Sequence, residues 1–178
     1  MPSGIAIIGS AGRFPGAPTV AALWRNLIEG KRSIQEFSRE ELARRGLSVA
    51  ALEDPNFVRS GSVLEDFDKF DSKFFGYTPR DAETMDPQHR LLLECAWQAL
   101  EGAGYLPSSP DPLIGVFAGS AFSTYLLNNL YVDPDLVEMI GEIGLAIGND
   151  KDALCSTLSY KLGLEGPSVA VQTFCSTS

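Results

Sequence analysis

The sequence closes with Ser168-Val169-Ala170-Val171-Gln172-Thr173-Phe174-Cys175-Ser176-Thr177-Ser178. Small and β-branched residues predict a buried strand over 168–172, and three hydroxyl residues follow the cysteine. We expect this order to place Cys175 at the first turn of a buried helix, where unpaired amides and the helix dipole favour the thiolate. Such a thiolate suits acyl transfer. The alternative is a small core residue, because free cysteine is among the residue types most often buried.

The residues before this segment alternate between predicted strands and helices. The apolar run 113–119 predicts a second buried strand, and 134–140 predicts a short helix. Asn149 and Asp150 cap a further helix, which Gly163 ends. The leucines on one face of that helix are Leu154, Leu158 and Leu162. This order of elements is typical of an α/β protein with a largely buried sheet.

The clearest predicted helix begins after Asp86 and continues through a long apolar stretch. Asp86 is a good N-cap, and Pro87 suits the first helical position because a missing amide costs nothing there. The polar stripe is so narrow that we expect burial on most of the circumference, with Cys95 in the core. His89, the single histidine, lies in the first turn, where the dipole disfavours a positive charge. We expect a neutral structural imidazole, and not a base for Cys175.

The N-terminal part of the sequence carries its own signals. Ile5-Ala6-Ile7-Ile8 predicts a buried strand, and a glycine-bearing loop follows over 9–16. A dinucleotide site is a weak hypothesis here, because the loop lacks the GxGxxG spacing and Pro15 keeps a helix from beginning at once. Thr19 then caps a predicted helix that Gly30 ends.

Composition limits the class of protein. The chain has 178 residues, 44% hydrophobic and 21% charged, as expected of a soluble folded domain. A net charge of −9 argues against nucleic acid or an anionic membrane as a partner, and no stretch has the length of a membrane span. The opening residues lack the basic start of a signal peptide. Cys95, Cys155 and Cys175 form no CxxC pair, which favours reduced thiols in the cytoplasm over a disulfide or zinc framework.

Four collinear segments resemble the β-ketoacyl synthase domains of modular type I polyketide synthases. They are 5–16 (IAIIGSAGRFPG), 74–105 (FFGYTPRDAETMDPQHRLLLECAWQALEGAGY), 114–119 (IGVFAG) and 161–178 (KLGLEGPSVAVQTFCSTS). The DPQHR segment and the QTFCSTS ending are specific in combination. The resemblance implies a thiolase-like α/β fold, in which two similar halves stack as alternating layers of helix and sheet. Residues 1–178 are similar to the N-terminal half, ending at the nucleophile turn.

The resemblance also implies acyl transfer followed by decarboxylative C–C condensation in polyketide or fatty acid biosynthesis. In that reaction Cys175 takes an acyl group from the phosphopantetheine arm of an acyl carrier protein, and its backbone amide forms one arm of an oxyanion hole. No directly bound cofactor or metal is implied. Two histidines, a lysine-bearing segment and the second oxyanion amide come from the family's C-terminal half. We therefore expect the chain alone to be inactive and to need a complementary half.

Without that half, we expect exposed apolar faces and an unformed nucleophile helix. The complete family enzyme is expected to be a homodimer. The competing hypothesis is a non-catalytic half-domain that serves as a dimerising interaction module.

Two positions depart from the family pattern. Phe174 stands where relatives often have a small residue and could narrow the acyl pocket, and Gln172 stands where many have aspartate.

Overall fold

The computed structural model describes residues 4–105 and 113–177, and the chain divides into two compact units. The smaller unit is Gly12–Asp66, and the larger unit joins the residues up to Ala11 with those from Phe67 onward. The N-terminal segment therefore belongs to the same unit as Cys175.

The smaller unit is built from three short helices and an antiparallel strand pair. In chain order its elements are α1 (Val20–Ile28), β1 (Gln35–Glu36), α2 (Arg39–Arg44), α3 (Val49–Glu53) and β2 (Ser60–Gly61). Thr19 caps α1, because its side chain accepts a hydrogen bond from the amide of Ala22 at 3.1 Å. The helix ends before Gly30, whose φ of +64° suits glycine, so the predicted helix is confirmed at both ends.

The larger unit contains the two longest of the described helices and a parallel strand pair. Its regular elements are α4 (Pro79–Glu83), α5 (Pro87–Gly102), β3 (Val116–Ala118), α6 (Pro134–Ile140), α7 (Glu142–Ile147), α8 (Lys151–Leu162) and β4 (Ser168–Ala170). A π-helical turn, Leu126–Leu130, lies between β3 and α6, and a 3-10 turn, Phe174–Ser176, follows β4. Phe117 pairs with Val169, so the last two predicted strands meet in one parallel sheet.

Helix α8 packs on one face of the β3–β4 pair and supplies much of the core. Asp150 caps it by accepting from the Asp152 amide at 2.9 Å, and Gly163 ends it in the left-handed conformation, as predicted. The three leucines predicted on one face are all buried: Leu154, Leu158 and Leu162. Cys155 is only 1% exposed, and its Sγ donates to the carbonyl of Val169 at 3.2 Å. This thiol therefore fastens α8 to β4.

The opposite face of the strand pair carries exposed apolar side chains. Val116 is buried in the core cluster, whereas its neighbour Phe117 is 67% exposed. Both strands are also shorter than predicted, although the amide of Val171 extends their pairing by donating to Ala118 O at 2.9 Å. The prediction of a largely buried sheet is wrong for this chain, because the described residues supply a helix to one face of the pair only.

Helix α5 begins as predicted but is less buried than predicted. Asp86 caps it by accepting from the amide of Gln88 at 2.7 Å, and Pro87 occupies the first helical position. Its buried residues are His89, Arg90 and Leu93. Cys95 is half-buried, so its assignment to the core is wrong. The helix packs against α8, and its other apolar positions are partly buried, whereas the exposed positions are Gln98, Glu101 and Gly102. The narrow exposed stripe agrees with the prediction, although burial on the remaining circumference is incomplete.

The predicted strand over Ile5–Ile8 is absent from the structure. Ile5 and Ile7 are 98% and 90% exposed, and within residues 4–105 and 113–177 no strand pairs with this run. The following residue, Gly9, lies so close to the backbone carbonyl of Ala99 that a Cβ would overlap it. The segment thus rests on the last turns of α5 instead. A short apolar run becomes a strand only where another strand offers its backbone groups.

Candidate functional site

Cys175 lies on the 3-10 turn that follows β4, with its side chain exposed. The turn is closed by two backbone hydrogen bonds, from the amide of Ser176 to Thr173 O at 3.2 Å and from the amide of Thr177 to Phe174 O at 3.0 Å. The expected order of strand, thiol and turn is therefore present. The buried helix predicted from the tail pattern is absent, because the helical geometry at the cysteine covers one short, exposed turn. This agrees with the expectation that the nucleophile helix stays unformed without the complementary half.

The residue before the cysteine has an unusual backbone conformation. Phe174 has φ of +53°, in the left-handed region that non-glycine residues seldom occupy, and its side chain is 97% exposed. Such strain persists only where surrounding contacts enforce it, and it is concentrated at functional sites. Here it lies at the first residue of the turn that carries Cys175.

The residues on both sides of the cysteine are held against the segment after β3. A Cβ at Gly119 would overlap Thr177 Cγ2 and Val171 O, so only glycine permits this close approach. The hydroxyl Oγ1 of Thr177 also accepts from the amide of Thr173 at 2.8 Å, which ties the two ends of the turn together. The exposed thiol is therefore carried on a turn whose ends are fixed.

Sequence reasoning missed Gly119 and Thr177 as parts of this site. The sequence predicts Gly119 only as the end of a strand, and Thr177 only as one of three hydroxyl residues. The contact between them joins positions far apart in sequence, and no local pattern predicts it. The glycine directly after a buried apolar run is the one available signal.

His89, the second residue considered at the sequence level, lies elsewhere in the larger unit. It is 3% exposed in the first turn of α5, and burial lowers its pKa below the ordinary value, although Asp86 and Asp150 act in the opposite direction. The neutral imidazole expected from the sequence agrees with this lowered pKa. Its burial contrasts with the exposed position of Cys175.

The described residues hold neither a metal centre nor a membrane-spanning helix. Within 4–105 and 113–177, no three histidine, cysteine or acidic side chains are grouped so that they could hold a metal ion. In the same ranges, every helix is too short or too polar to cross a bilayer.

Comparison with known proteins places this geometry in a family. Residues 3–178 match the profile described as the N-terminal domain of β-ketoacyl synthase. One component of the phenolphthiocerol/phthiocerol polyketide synthase of Mycobacterium tuberculosis is 48% identical over 180 residues, which are 98% of this chain and 12% of the relative. Pikromycin polyketide synthase component PikAII of Streptomyces venezuelae is 40% identical over 185 residues, which are 98% of this chain and 5% of the relative.

Solved structures give the same result for the fold. Ketosynthase twelve from the bacillaene polyketide synthase of Bacillus amyloliquefaciens superposes with a TM-score of 0.81 at 37% identity, covering 97% of this chain and 30% of that one. The ketosynthase from module 1 of the bacillaene synthase of the same species gives 0.75 at 37% identity, covering 94% and 29%. The expected thiolase-like α/β fold is confirmed for this N-terminal part. The chain therefore belongs to the β-ketoacyl synthase family, as the N-terminal domain of a polyketide-synthase ketosynthase.

Proposed function

We propose that this chain supplies the acyl-accepting part of a condensing enzyme, with Cys175 as the nucleophile. The observation that carries the proposal is the exposed thiol on a fixed turn directly after β4, in a chain of the ketosynthase family. The matched relatives are about eight or more times longer than this chain, which spans 12% of one and 5% of another. The activity of the whole enzyme is therefore proposed from family membership and from this site together.

The proposed chemistry begins with acyl transfer. The Cys175 thiolate attacks the thioester carbonyl of an acyl carrier protein's phosphopantetheine arm, a new S–C bond forms, and the pantetheine thiolate leaves and takes up a proton. The backbone amide of Cys175 donates to the oxyanion of the tetrahedral intermediate. A carbanion, formed when a malonyl-type extender loses CO₂, then attacks the acyl group and releases the Cys175 thiolate.

The condensation step requires groups that we assign to a C-terminal ketosynthase half. These are the two histidines, the lysine-bearing segment and the second oxyanion donor. The exposed face of the β3–β4 pair, with Phe117 at 67% exposure, supports a proposal that this half covers it. Residues 1–178 then act as the N-terminal domain of a homodimeric enzyme. A cytoplasmic location, where thiols stay reduced, belongs to the same proposal.

The same apolar face supports a second candidate function, a non-catalytic interaction module. Phe117 and Val169 are opposite each other in the register and both are exposed, at 67% and 43%. A half-domain that only pairs with a partner would need this face and would not need a reactive thiol. Acyl loading at Cys175 therefore separates the two candidates.

The test is acyl loading of the complete ketosynthase polypeptide that carries this segment. The protein is incubated with an acetyl-pantetheine thioester, and its acylation is measured by intact mass and peptide mapping. We expect one acetyl group on the peptide that contains Cys175, and none in Cys175→Ala.

The matched control is Cys95→Ala, which removes a half-buried thiol on α5 and should load as the unmodified protein does. Acetylation that persists in Cys175→Ala would contradict the assignment of the nucleophile. An unmodified protein that is folded but takes up no acetyl group would favour the interaction module.

A further inference from the structure

Two glutamine side chains bind the backbone amide and carbonyl of two consecutive residues in the segment that follows β3. These residues are Gln172, three positions before the nucleophile, and Gln88, in the first turn of α5. The residues whose backbone groups they bind are Ser120 and Ala121. The inference drawn from this arrangement rests on the role proposed for Cys175 and deepens it.

Gln172 pairs with both backbone groups of Ser120. With its amide oriented to satisfy both partners, Nε2 donates to Ser120 O at 3.0 Å, and Oε1 accepts from the Ser120 amide at 3.2 Å. A primary amide is suited to this task because it carries a donor and an acceptor side by side. Gln172 thereby fixes the chain immediately before the Cys175 turn.

Gln88 repeats the arrangement on the next residue. Its Oε1 accepts from the amide of Ala121 at 2.8 Å, and its Nε2 lies 3.4 Å from Ala121 O. The same Nε2 lies 3.4 Å from Asp86 Oδ2, which holds the glutamine side chain in place. The segment after β3 is therefore bound from two sides, by α5 and by the chain between β4 and the nucleophile turn.

The α5 end of this arrangement is itself fixed by buried polar contacts. Asp86 is 2% exposed, and its amide donates to Gly148 O at 3.0 Å. Asn149, which is 5% exposed, donates from Nδ2 to Thr84 O at 2.7 Å and to Leu145 O at 2.8 Å. Buried and satisfied polar networks of this kind rigidify the elements that they join. Gln88 therefore projects from a rigid base.

We propose that Gln172 and Gln88 are positioning residues for Cys175. Gln172 holds the chain before the nucleophile turn on the backbone amide and carbonyl of Ser120, and Gln88 holds the backbone groups of Ala121 on α5. Gly119, beside Ser120, receives the methyl group of Thr177 from the far side of the turn. The position of the thiol is thus set from α5 through hydrogen bonds between the two glutamine side chains and the backbone of residues 120 and 121. Neither glutamine touches the reacting atoms.

The test uses the complete ketosynthase polypeptide with Gln172→Ala, Gln172→Glu and Gln88→Ala. Gln172→Glu keeps the size and one acceptor but sets a carboxylate against Ser120 O, so it disrupts the pairing with little loss of packing. We expect the maximal rate of acyl loading to fall by about ten- to a hundredfold in both Gln172 variants, with the KM for the acyl donor unchanged. Gln88→Ala should give a smaller fall, and the double alanine variant should lose less than the product of the two single losses, because both act on one dipeptide.

Hydrogen exchange provides a readout that does not depend on activity. In all three variants, the rate of hydrogen exchange at the amides of 173–177 should rise by about tenfold relative to the unmodified protein. The matched control is Gln35→Ala, an exposed glutamine in β1 of the smaller unit, which should change neither loading nor exchange at the turn.

The possible outcomes separate the two proposals. A lower melting temperature with unchanged maximal loading rate and unchanged exchange at 173–177 would overturn the positioning role. An unmodified protein that fails to load would overturn the proposed function. In that case the exchange measurement alone decides the positioning role, since faster exchange in Gln88→Ala supports it and unchanged exchange overturns it.

Discussion

At the scale of single residues, the three cysteines differ by environment and not by type. Cys155 is 1% exposed and donates to Val169 O, so its sulfur acts as a small core group with a weak hydrogen bond. Cys95 is half-buried on α5, and Cys175 is exposed on a turn beside a residue with positive φ. The tail sequence distinguishes Cys175 because a hydroxyl-rich turn follows a strand. It does not reveal the role of Cys155, whose partners include a carbonyl on β4.

His89 makes the stability of the fold depend on pH. Burial lowers its pKa below the ordinary 6.5, so between the folded-state pKa and 6.5 the unfolded chain binds a proton that the folded chain does not. Stability from this group is therefore complete above pH 6.5 and is lost as the pH falls below it. We expect the free energy of unfolding in urea to decrease from pH 7.5 to 5.5, by at most about 1.4 kcal/mol, the limit for one group that titrates near 6.5 in the unfolded chain.

The control for this prediction is His89→Gln, which cannot titrate. Its unfolding free energy should change much less over the same interval, since the carboxylates titrate mainly below pH 5. Equal slopes for the two proteins would show that His89 is not the source of the pH dependence.

At the scale of elements, the N-caps of α5 and α8 show why helix ends could be predicted from the sequence, whereas the contacts that hold the nucleophile turn could not. The N-cap of α5 at Asp86 and that of α8 at Asp150 each act over two residues, and sequence patterns report such local contacts. Whether Ile5–Ile8 forms a strand, and which contacts hold the Cys175 turn, depends instead on backbone groups that are distant in sequence. No local pattern indicates which apolar run will find a strand partner.

The assignment of the C-terminal end of α5 can be tested by replacing each of two nearby glycines with alanine. Gly104 has φ of +78° and completes a closing motif, in which its amide donates to Glu101 O and that of Tyr105 donates to Leu100 O. Gly104→Ala should destabilise the fold by about 1 kcal/mol, because a Cβ is disfavoured in the left-handed region.

Gly102 is the matched control, since it lies in the helix and a Cβ there meets nothing within 4 Å. Gly102→Ala should stabilise the fold by about 0.5–1 kcal/mol, because alanine loses less backbone entropy in a helix. Urea unfolding of both variants measures the two effects. A shift of the same sign in both would refute the assignment of the helix end.

At the scale of the whole molecule, the β3–β4 pair has two unlike faces. One face packs on α8 around Leu158 and Val116, and the other exposes Phe117 and Val169. The family resemblance predicts exposed apolar faces meant for a second half, and these exposures agree with that expectation. Composition alone could not have located them, because apolar residues are common on protein surfaces in general.

The two faces predict opposite mutational costs in this chain. Leu158→Ala should cost about 2–5 kcal/mol of unfolding free energy, because it opens a cavity in the core. Phe117→Ala should cost under about 0.5 kcal/mol, because the ring is already exposed to solvent. In the complete ketosynthase polypeptide the cost of Phe117→Ala should rise to about 3–5 kcal/mol, since we propose that a C-terminal half covers it.

The measurement is denaturant unfolding of both variants, made once in residues 1–178 alone and once in the complete ketosynthase polypeptide. A Phe117→Ala cost that stays small in the complete polypeptide would show that this face remains open to solvent there. A large cost already in the short chain would contradict the exposure of the ring.

The parallel pairing of β3 with β4 also fixes when the nucleophile turn can form during synthesis. The paired residues are separated by roughly fifty positions, so a long loop must close before Gly119 and Ser120 can receive the turn. During synthesis β3 therefore leaves the ribosome well before β4 has been made, and its edges stay unpaired in the meantime. The contacts that hold the Cys175 turn against Gly119 and Ser120 can therefore form only after β4 has been synthesised and has paired with β3.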